Sequence, residues 1–246
     1  MTEKSSNELE QRFRDVEENL KVIREKMAEA AAASGRRPED ITLLAATKTV
    51  PVEVVNHSIG LGVRRIGENR VQELLGKYDS YRLEHCSLHF IGHLQLNKVK
   101  YLVGKVSLIE SVDSEKLAKQ ISRLSEKNNT VTDILLEVNI GREPNKSGVL
   151  PEKLPELLEY AASLPGVRVR GLMAIPPAGA PAEETRNYFL RMHRYFVDIK
   201  SKKIDNVAMD CLSMGMSADY PEAIRAGANQ VRIGTALYGP RVYPQN

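Results

Sequence analysis

Apolar positions recur at spacings of three and four along residues 7–33 and fall on one stripe: Leu9, Phe13, Val16, Leu20, Ile23 and Met27. This spacing predicts a long amphipathic helix that ends at Gly35 and Pro38. Its apolar stripe must pack on the rest of the chain. Its charges are most simply a solvated face.

From residue 41 onward, short apolar runs alternate with helical patterns. Strands are predicted over 41–48, 64–69, 88–93, 105–111, 132–139, 167–173, 208–213 and 231–234. Helices are predicted over 51–60, 71–78, 97–103, 113–127, 151–163, 181–200 and 218–227. A repeated strand-then-helix order implies a parallel sheet, and eight units favour closure into an α/β (β/α)₈ TIM barrel. Residues 1–246 are therefore expected to form a single barrel domain, with residues 1–38 as a helical extension packed on it.

An open doubly wound sheet is the alternative architecture. It would call for a Gly-x-Gly-x-x-Gly turn after the first strand to hold a dinucleotide, and none is found there. Gly60-Leu-Gly62 is the nearest match, but it precedes a strand.

Composition and charge exclude several classes of protein. The 35 basic and 32 acidic residues give a formal charge of only +3, and nothing marks the chain as a nucleic-acid binder. Cys86 and Cys211 lie in apolar surroundings and are expected to be reduced core thiols. There is no signal-peptide core and no apolar run long enough to span a membrane, so a cytoplasmic location is expected.

Lys48 ends the first predicted strand, at the rim where barrels bind ligands. A desolvated lysine amine there is a candidate for Schiff-base chemistry with an aldehyde. The simpler interpretation is a lysine that caps the strand and reaches water. The residues that end the other strands decide between the Schiff-base lysine and the solvent-exposed lysine. That set is mostly polar, basic or hydroxyl-bearing: Asn69, His93, Ser111, Asn139, Met173, the Ser213–Ser217 loop and Arg232–Thr235.

The turn after the seventh strand runs through Ser213, Met214, Gly215 and Ser217 into a helix. Free backbone N–H groups at such a turn, together with two hydroxyls, suit a phosphate dianion.

The eighth strand supplies a second part of the same site. Val231 and Ile233 are expected to face the outer helices, while Arg232 and Gly234 face inward. Gly234 permits a close approach of backbone to ligand, and Thr235 can donate a hydroxyl. The seventh and eighth strands are where barrels favour phosphate sites.

An amine, a phosphate site and an inward arginine together suggest pyridoxal 5′-phosphate (PLP) held on Lys48. A guanidinium from Arg232 beside the pyridine nitrogen would disfavour its protonation and leave the ring a weak electron sink. This suits either racemisation of an easily deprotonated amino acid or carriage of the cofactor. Asn69 could bond the ring substituents or, equally, cap helix 70–79.

The sequence also resembles the pyridoxal phosphate homeostasis protein family over about residues 41–239. The resemblance is carried by Ala46-Thr-Lys48-Thr, Ile66-Gly-Glu-Asn69-Arg-Val-Gln-Glu73, His89-Phe-Ile-Gly-His-Leu-Gln95, Leu136-Glu-Val-Asn139, Lys146-Ser-Gly148, Gly171-Leu-Met173, Leu212-Ser-Met-Gly-Met-Ser217 and Val231-Arg232-Ile-Gly-Thr235. One departure is Arg70, where the family has an aromatic residue.

The resemblance implies a barrel like the N-terminal domain of bacterial alanine racemase, with PLP on Lys48 and Arg232 near the ring nitrogen. It implies phosphate contacts from Ser213, Ser217, Gly234 and Thr235. It also implies no established catalytic turnover: such proteins bind, buffer and deliver the cofactor in vitamin B6 homeostasis, with apo-enzymes or amino acids as acceptors.

Two enzymatic alternatives remain open. A PLP-dependent amino-acid racemase needs a second base, which only Tyr238 or His93 could provide within the barrel, since the chain ends at Asn246 without room for the racemase C-terminal domain. A metal enzyme could start from His85, His89 and His93, but strand geometry scatters them, and no metal site is expected. A barrel without the racemase partner domain is expected to be a monomer.

Overall fold

Eight parallel strands close into a barrel in the computed structural model, which describes residues 3–240, with side chains from residue 7. Each strand pairs with the next along the chain, and β8 returns to pair with β1. The strands are β1 Thr42–Ala46, β2 Arg65–Glu68, β3 Ser87–Phe90, β4 Leu108–Val112, β5 Thr132–Val138, β6 Val167–Ala174, β7 Val207–Ser213 and β8 Gln230–Ile233. The predicted (β/α)₈ fold is confirmed.

The helices surround the barrel. They are α1 Glu3–Ala33, α2 Val52–Gly60, α3 Val71–Lys77, α4 Glu115–Lys127, α5 Leu154–Ala162, α6 Ala182–Ser201, α7 Tyr220–Arg225 and α8 Thr235–Tyr238. Short 3₁₀ turns cover Pro38–Asp40, Tyr78–Ser80, Leu96–Tyr101 and Pro151–Lys153.

The predicted helix over 97–103 is instead the 3₁₀ segment Leu96–Tyr101. Val99 is the only one of its six residues that is buried, while Leu96 and Tyr101 are exposed. Helical order in proteins comes mainly from packing of an apolar face, and this segment has little to bury.

Alternate strand residues divide the core into two parts. Outward-facing residues such as Ile109, Ile134 and Leu136 are fully buried under the surrounding helices. The barrel interior holds a smaller apolar cluster of Leu108, Leu135, Met173 and Cys211. The upper interior is polar, and this part of the barrel leads to the site.

Helix α1 packs against α2, α7 and α8 through its apolar stripe. Val16, Leu20 and Ile23 are almost completely buried on this face. The Asn19 side chain adds a hydrogen bond, donating to the carbonyl of Leu237 at 3.1 Å. The N-terminal helix therefore lies on the outside of the barrel, beside β1 and β8.

Both cysteines are buried and free, as expected for reduced thiols. Burial raises the pKa of the Cys86 thiol to about 11, which disfavours the reactive thiolate. Within residues 3–240, none of the helices has the length and apolar character needed to cross a membrane.

Candidate functional site

A cavity of about 340 Å³ opens at the carboxyl ends of the strands, within the usual range of small-molecule sites. Six of the residues that the sequence points to share its wall: Lys48, Asn69, Ser217, Arg232, Gly234 and Thr235. The lysine on the first strand unit and the polar groups after the last two strands are thus brought together, because barrel closure places β1 beside β8.

Lys48 follows the end of β1 and is partly buried at the cavity wall. Ala46, two residues earlier, lines the same cavity and supplies no bulk there. Thr47 points the other way and is fully buried. Thr49 has a φ of 63°, a left-handed conformation that is unfavourable for a β-branched residue.

A group of four side chains, here named the Glu68 cluster, holds the backbone on both sides of Lys48; it consists of Glu68, Glu73, Lys77 and Tyr81. Glu68 Oε1 accepts hydrogen bonds from Thr47 Oγ1 at 2.8 Å and from Tyr81 Oη at 2.5 Å.

Lys77 joins the two carboxylates of this cluster, with its Nζ 2.6 Å from Glu73 Oε1 and 3.2 Å from Glu68 Oε1. Glu73 Oε1 in turn accepts the backbone N–H of Thr49. Burial raises the pKa of Glu68, and the charge of Lys77 opposes that shift. The strained Thr49 is therefore fixed from α3 by a charge-assisted hydrogen bond.

Asn69 lies at the cavity wall with its Oδ1 buried and without a hydrogen-bond partner among the described residues. It does not cap α3, whose N-cap position is Arg70 and has no side-chain cap. Gly92 packs closely on it, since a Cβ at Gly92 would lie 2.1 Å from the Asn69 carbonyl oxygen. The Asn69 carboxamide thus keeps an unsatisfied oxygen in a residue of the cavity wall.

The loop after β7 offers donors at the other end of the cavity. Gly215 turns the chain with a φ of 90°, where a Cβ would lie 2.5 Å from that of Ala223. Within the described part of the chain, the backbone N–H groups of Ser217 and Ala218 have no acceptor. Ser217 Oγ accepts the N–H of Ala236 at 3.1 Å, which leaves its own hydrogen available. These donors suit an anion.

Ser213 departs from its predicted place, because it is fully buried and does not line the cavity. Its hydroxyl donates to Glu110 Oε2 at 2.6 Å and accepts from Arg232 Nη1 at 2.7 Å. Its single hydrogen is therefore already used inside the barrel. Met214 and Gly215 do not line the cavity either, and the Met214 N–H donates to the Gln230 carbonyl in the seam between β7 and β8.

Arg232 faces inward, as predicted, and Ser213 and Ala174 hold its guanidinium. Glu110, fully buried, completes this interior network by accepting from His89 Nδ1 and Gln230 Nε2, both at 2.7 Å.

Within this network, burial and the neighbouring polar groups act in opposite directions on the pKa values of Glu110 and Arg232. Burial raises the pKa of Glu110, but the hydrogen bond and charge of His89, with Arg232 and Ser213, bring it below its ordinary value. Burial lowers the pKa of Arg232, and the carboxyls of Glu110 and Glu137 oppose this. Arginine remains a cation under such shifts, and Glu110 is its counter-ion.

The other predicted rim residues lie outside the cavity. Asn139 caps its own loop by donating to the Glu143 carbonyl at 2.8 Å. Met173 belongs to the apolar cluster in the barrel interior, and Ser111 is buried without a partner for its hydroxyl among the described residues. His93 is exposed and lies 3.1 Å from Ser147 Oγ.

Several cavity residues are absent from the sequence-based set: Arg12, Ile91, Ile175 and Pro240. Ile91 and Ile175 follow β3 and β6 and could have been found from their positions after strands. Arg12 lies on α1, and no local pattern in the sequence connects that helix to the rim. Within the described residues, no group of three or more His, Cys, Asp or Glu side chains could hold a metal ion.

The fold and the cavity define a class of protein, namely a (β/α)₈ barrel with a lysine amine and a turn with unpaired backbone N–H groups among the described residues at one mouth. The alanine racemase N-terminal domain family matches residues 14–242. The pyridoxal phosphate homeostasis protein of Aquifex aeolicus is 47% identical over 226 residues, which are 92% of this chain and 98% of that protein. This chain belongs to the pyridoxal phosphate homeostasis protein family.

Solved structures show the same architecture. A protein from Bifidobacterium adolescentis has a TM-score of 0.86 at 33% identity, covering 93% of this chain and 96% of its own. PipY of Synechococcus elongatus PCC7942, solved with PLP bound, has a TM-score of 0.76 at 32% identity, covering 87% of this chain and 100% of its own.

Proposed function

We propose that this chain binds pyridoxal 5′-phosphate as a reversible Schiff base on Lys48, and that it buffers and delivers the cofactor without catalytic turnover of its own. One observation carries the proposal: the lysine, the inward arginine and the anion-binding turn line one cavity of about 340 Å³. The PLP bound in PipY and the name of the Aquifex relative support it.

Different residues of the cavity wall bind the aldehyde, the phosphate and the ring of the cofactor. When bound, the cofactor supplies an aldehyde that condenses reversibly with a primary amine and releases water. Lys48 provides the amine. Ser217, Gly234 and Thr235 hold the phosphate, together with the free N–H groups of Ser217 and Ala218, and Asn69 bonds the ring substituents.

Arg232 determines which chemistry the site supports. A guanidinium next to the pyridine nitrogen opposes protonation of that nitrogen, so electron withdrawal by the ring stays weak. Ser213, Met214 and Gly215 support the site without lining it. Ser213 joins Arg232 to Glu110, while Met214 and Gly215 shape the turn. This arrangement favours carriage of the cofactor over turnover.

The alternative function is a PLP-dependent amino-acid racemase, which needs a base on each face of the ring. Tyr238 lines the cavity, but its hydroxyl donates to Ser58 Oγ, whose own hydrogen goes to the Val55 carbonyl. Burial also raises the pKa of Tyr238, so its phenol stays protonated and supplies no tyrosinate to act as the base at neutral pH. His93 lies outside the cavity wall.

The test is an absorbance spectrum combined with borohydride trapping. The chain with PLP is expected to be yellow, and reduction is expected to fix the label on the peptide that contains Lys48. Lys48→Ala should lose both signals, whereas the exposed Lys116→Ala should keep them. A stable label on another lysine, or a colourless wild-type chain, would contradict the proposal.

Racemisation is tested separately. The PLP-loaded chain is incubated with L-alanine or L-serine and the chirality of the amino acid is followed. We expect no sustained inversion; inversion at ordinary enzymatic rates would favour the racemase instead.

The same proposal extends to location and acceptors. We infer that the chain acts in the cytoplasm, which agrees with its two free cysteines. Apo-enzymes that use PLP, or free amino acids that compete for the aldehyde, are the proposed acceptors. Reconstitution of an apo-enzyme faster than spontaneous release of PLP would identify direct delivery.

A further inference from the structure

We propose that Arg12 of helix α1 is a third cationic group of the cavity and binds the phosphate of the cofactor, so that the N-terminal helix forms part of the binding site. This inference rests on the proposed function. It concerns a residue on the helix outside the barrel, before residues 14–242 that the alanine racemase N-terminal domain family matches.

The position of Arg12 identifies the end of the cavity that it serves. Arg12 is partly buried and lines the cavity together with Ser217 and Thr235. Helix α1 packs against α7 and α8, the helices that follow β7 and β8. It therefore approaches from the side that carries the proposed phosphate contacts.

The segment of α1 around Arg12 is firmly placed. The next residue, Phe13, stacks on the His57 ring with centroids 4.3 Å apart and an interplanar angle of 16°. His57 Nε2 also lies 2.9 Å from Glu17 Oε1, and Asn19 bonds the Leu237 carbonyl. Contacts to α2 and α8 thus fix the segment of α1 that carries the arginine.

Charge complementarity identifies the ligand group. Arg12, Lys48 and Arg232 line the cavity, and among the described residues no Asp or Glu does. Arg232 is already engaged below by Ser213 and the Ala174 carbonyl. Within the described residues Arg12 has no ion pair or side-chain hydrogen bond, whereas its neighbour Arg14 bonds Gln11.

A phosphate monoester carries close to two negative charges at neutral pH and accepts several charge-assisted hydrogen bonds. The turn after β7 supplies neutral donors only. A guanidinium provides the fork of donors that matches phosphate oxygens. Arg12 is thus the group that balances the phosphate charge.

The experiment compares three ligands on wild type, Arg12→Gln, Arg12→Lys and the control Arg14→Gln. The ligands are PLP, pyridoxamine 5′-phosphate, which has the phosphate but no aldehyde, and pyridoxal, which has the aldehyde but no phosphate. Equilibrium titration gives each affinity, and thermal melting of the apo-proteins checks that the variants fold equally well.

Arg12→Gln is expected to weaken binding of both phosphorylated ligands about tenfold, equivalent to ~1.4 kcal/mol, and to leave pyridoxal unchanged. Arg12→Lys should restore part of the loss, and Arg14→Gln should match wild type. Unchanged PLP affinity in Arg12→Gln, or an equal loss for pyridoxal, would overturn the role of Arg12. If the wild type bound none of the three ligands, the proposed function itself would fail instead.

Discussion

Glu137 brings a carboxyl into the polar part of the barrel interior, where it is 6% exposed. Its pKa is raised to about 7, first by burial and then by the charge of Asp113, while Arg232 opposes both. In the unfolded chain the same carboxyl has its ordinary pKa of 4.5. Between pH 4.5 and about 7, the folded chain therefore holds a proton that the unfolded chain has released.

This difference predicts that the free energy of unfolding falls as pH rises through that window, by up to about 3 kcal/mol from this residue. Denaturant unfolding of the apo-protein at pH 5 and pH 8 measures the fall. Glu137→Gln should reduce the difference between the two pH values, while the exposed Glu159→Gln should not. An undiminished fall in Glu137→Gln would mean that its carboxyl is not the group that titrates. Burial also raises the pKa of Glu68, which therefore contributes a fall in the same direction. Because Glu68 is present in the wild type and in both variants, its contribution cancels when they are compared.

At the scale of elements, the loop between β1 and α2 depends on α3. Thr49 is held in a left-handed conformation that costs a β-branched residue about 1–3 kcal/mol. The Glu68 cluster offsets this cost through the bond from the Thr49 N–H to Glu73, which Lys77 keeps in place. The position of Lys48 in the cavity is therefore set by residues outside the cavity.

Glu73→Ala removes that bond and should let the loop relax away from its strained conformation. We expect its PLP affinity to fall about tenfold, which corresponds to ~1.4 kcal/mol. The loss of stability of the apo-protein, followed by its melting temperature, is expected to be smaller than this. The exposed Gln72→Ala on the same helix serves as the control, and absorbance titration gives the affinities. Equal affinities for the two variants would show that the loop holds its conformation without α3.

The sequence predicts the elements well wherever an apolar period is clear. Strands with alternating or continuous apolar residues, such as Thr132–Val138, are found within a few residues of their predicted limits. Segment 97–103 is the exception, because a single buried valine does not separate a 3₁₀ turn from an α-helix.

The residues of the site likewise fall into those that the sequence could place and those that it could not. Lys48, Asn69 and Arg232 could be placed because each lies near or just past the carboxyl end of a strand, so closure of the barrel alone brings them to one mouth. The bond between Ser213 and Glu110 joins residues 103 positions apart, and no local pattern reveals it. Arg12 was hidden for a related reason: a charge on an amphipathic helix is read as solvated until the packing of that helix is known.

At the scale of the whole molecule, the closed barrel places its polar groups in the interior and its apolar strand faces under the helices. Within residues 3–240, closure of the sheet leaves no edge strand for pairing with another chain. Association would have to use side chains on the helices and loops. The large apolar side chains that are exposed among the described residues come from six segments of the chain, with two of them on the 3₁₀ segment Leu96–Tyr101: Val22, Leu96, Tyr101, Val131, Leu150, Val197 and Met216.

A stable homodimer buries about 800 Å² on each partner around an apolar centre, and side chains scattered over several elements do not form such a centre. We therefore predict a monomer, with a mass of 27.5 kDa in sedimentation equilibrium. The mass should be the same with and without PLP, since the cavity is built within one barrel and takes all its polar groups from one chain. A species of twice that mass at micromolar concentration would contradict this, and a shift on adding PLP would place a second chain at the mouth of the barrel.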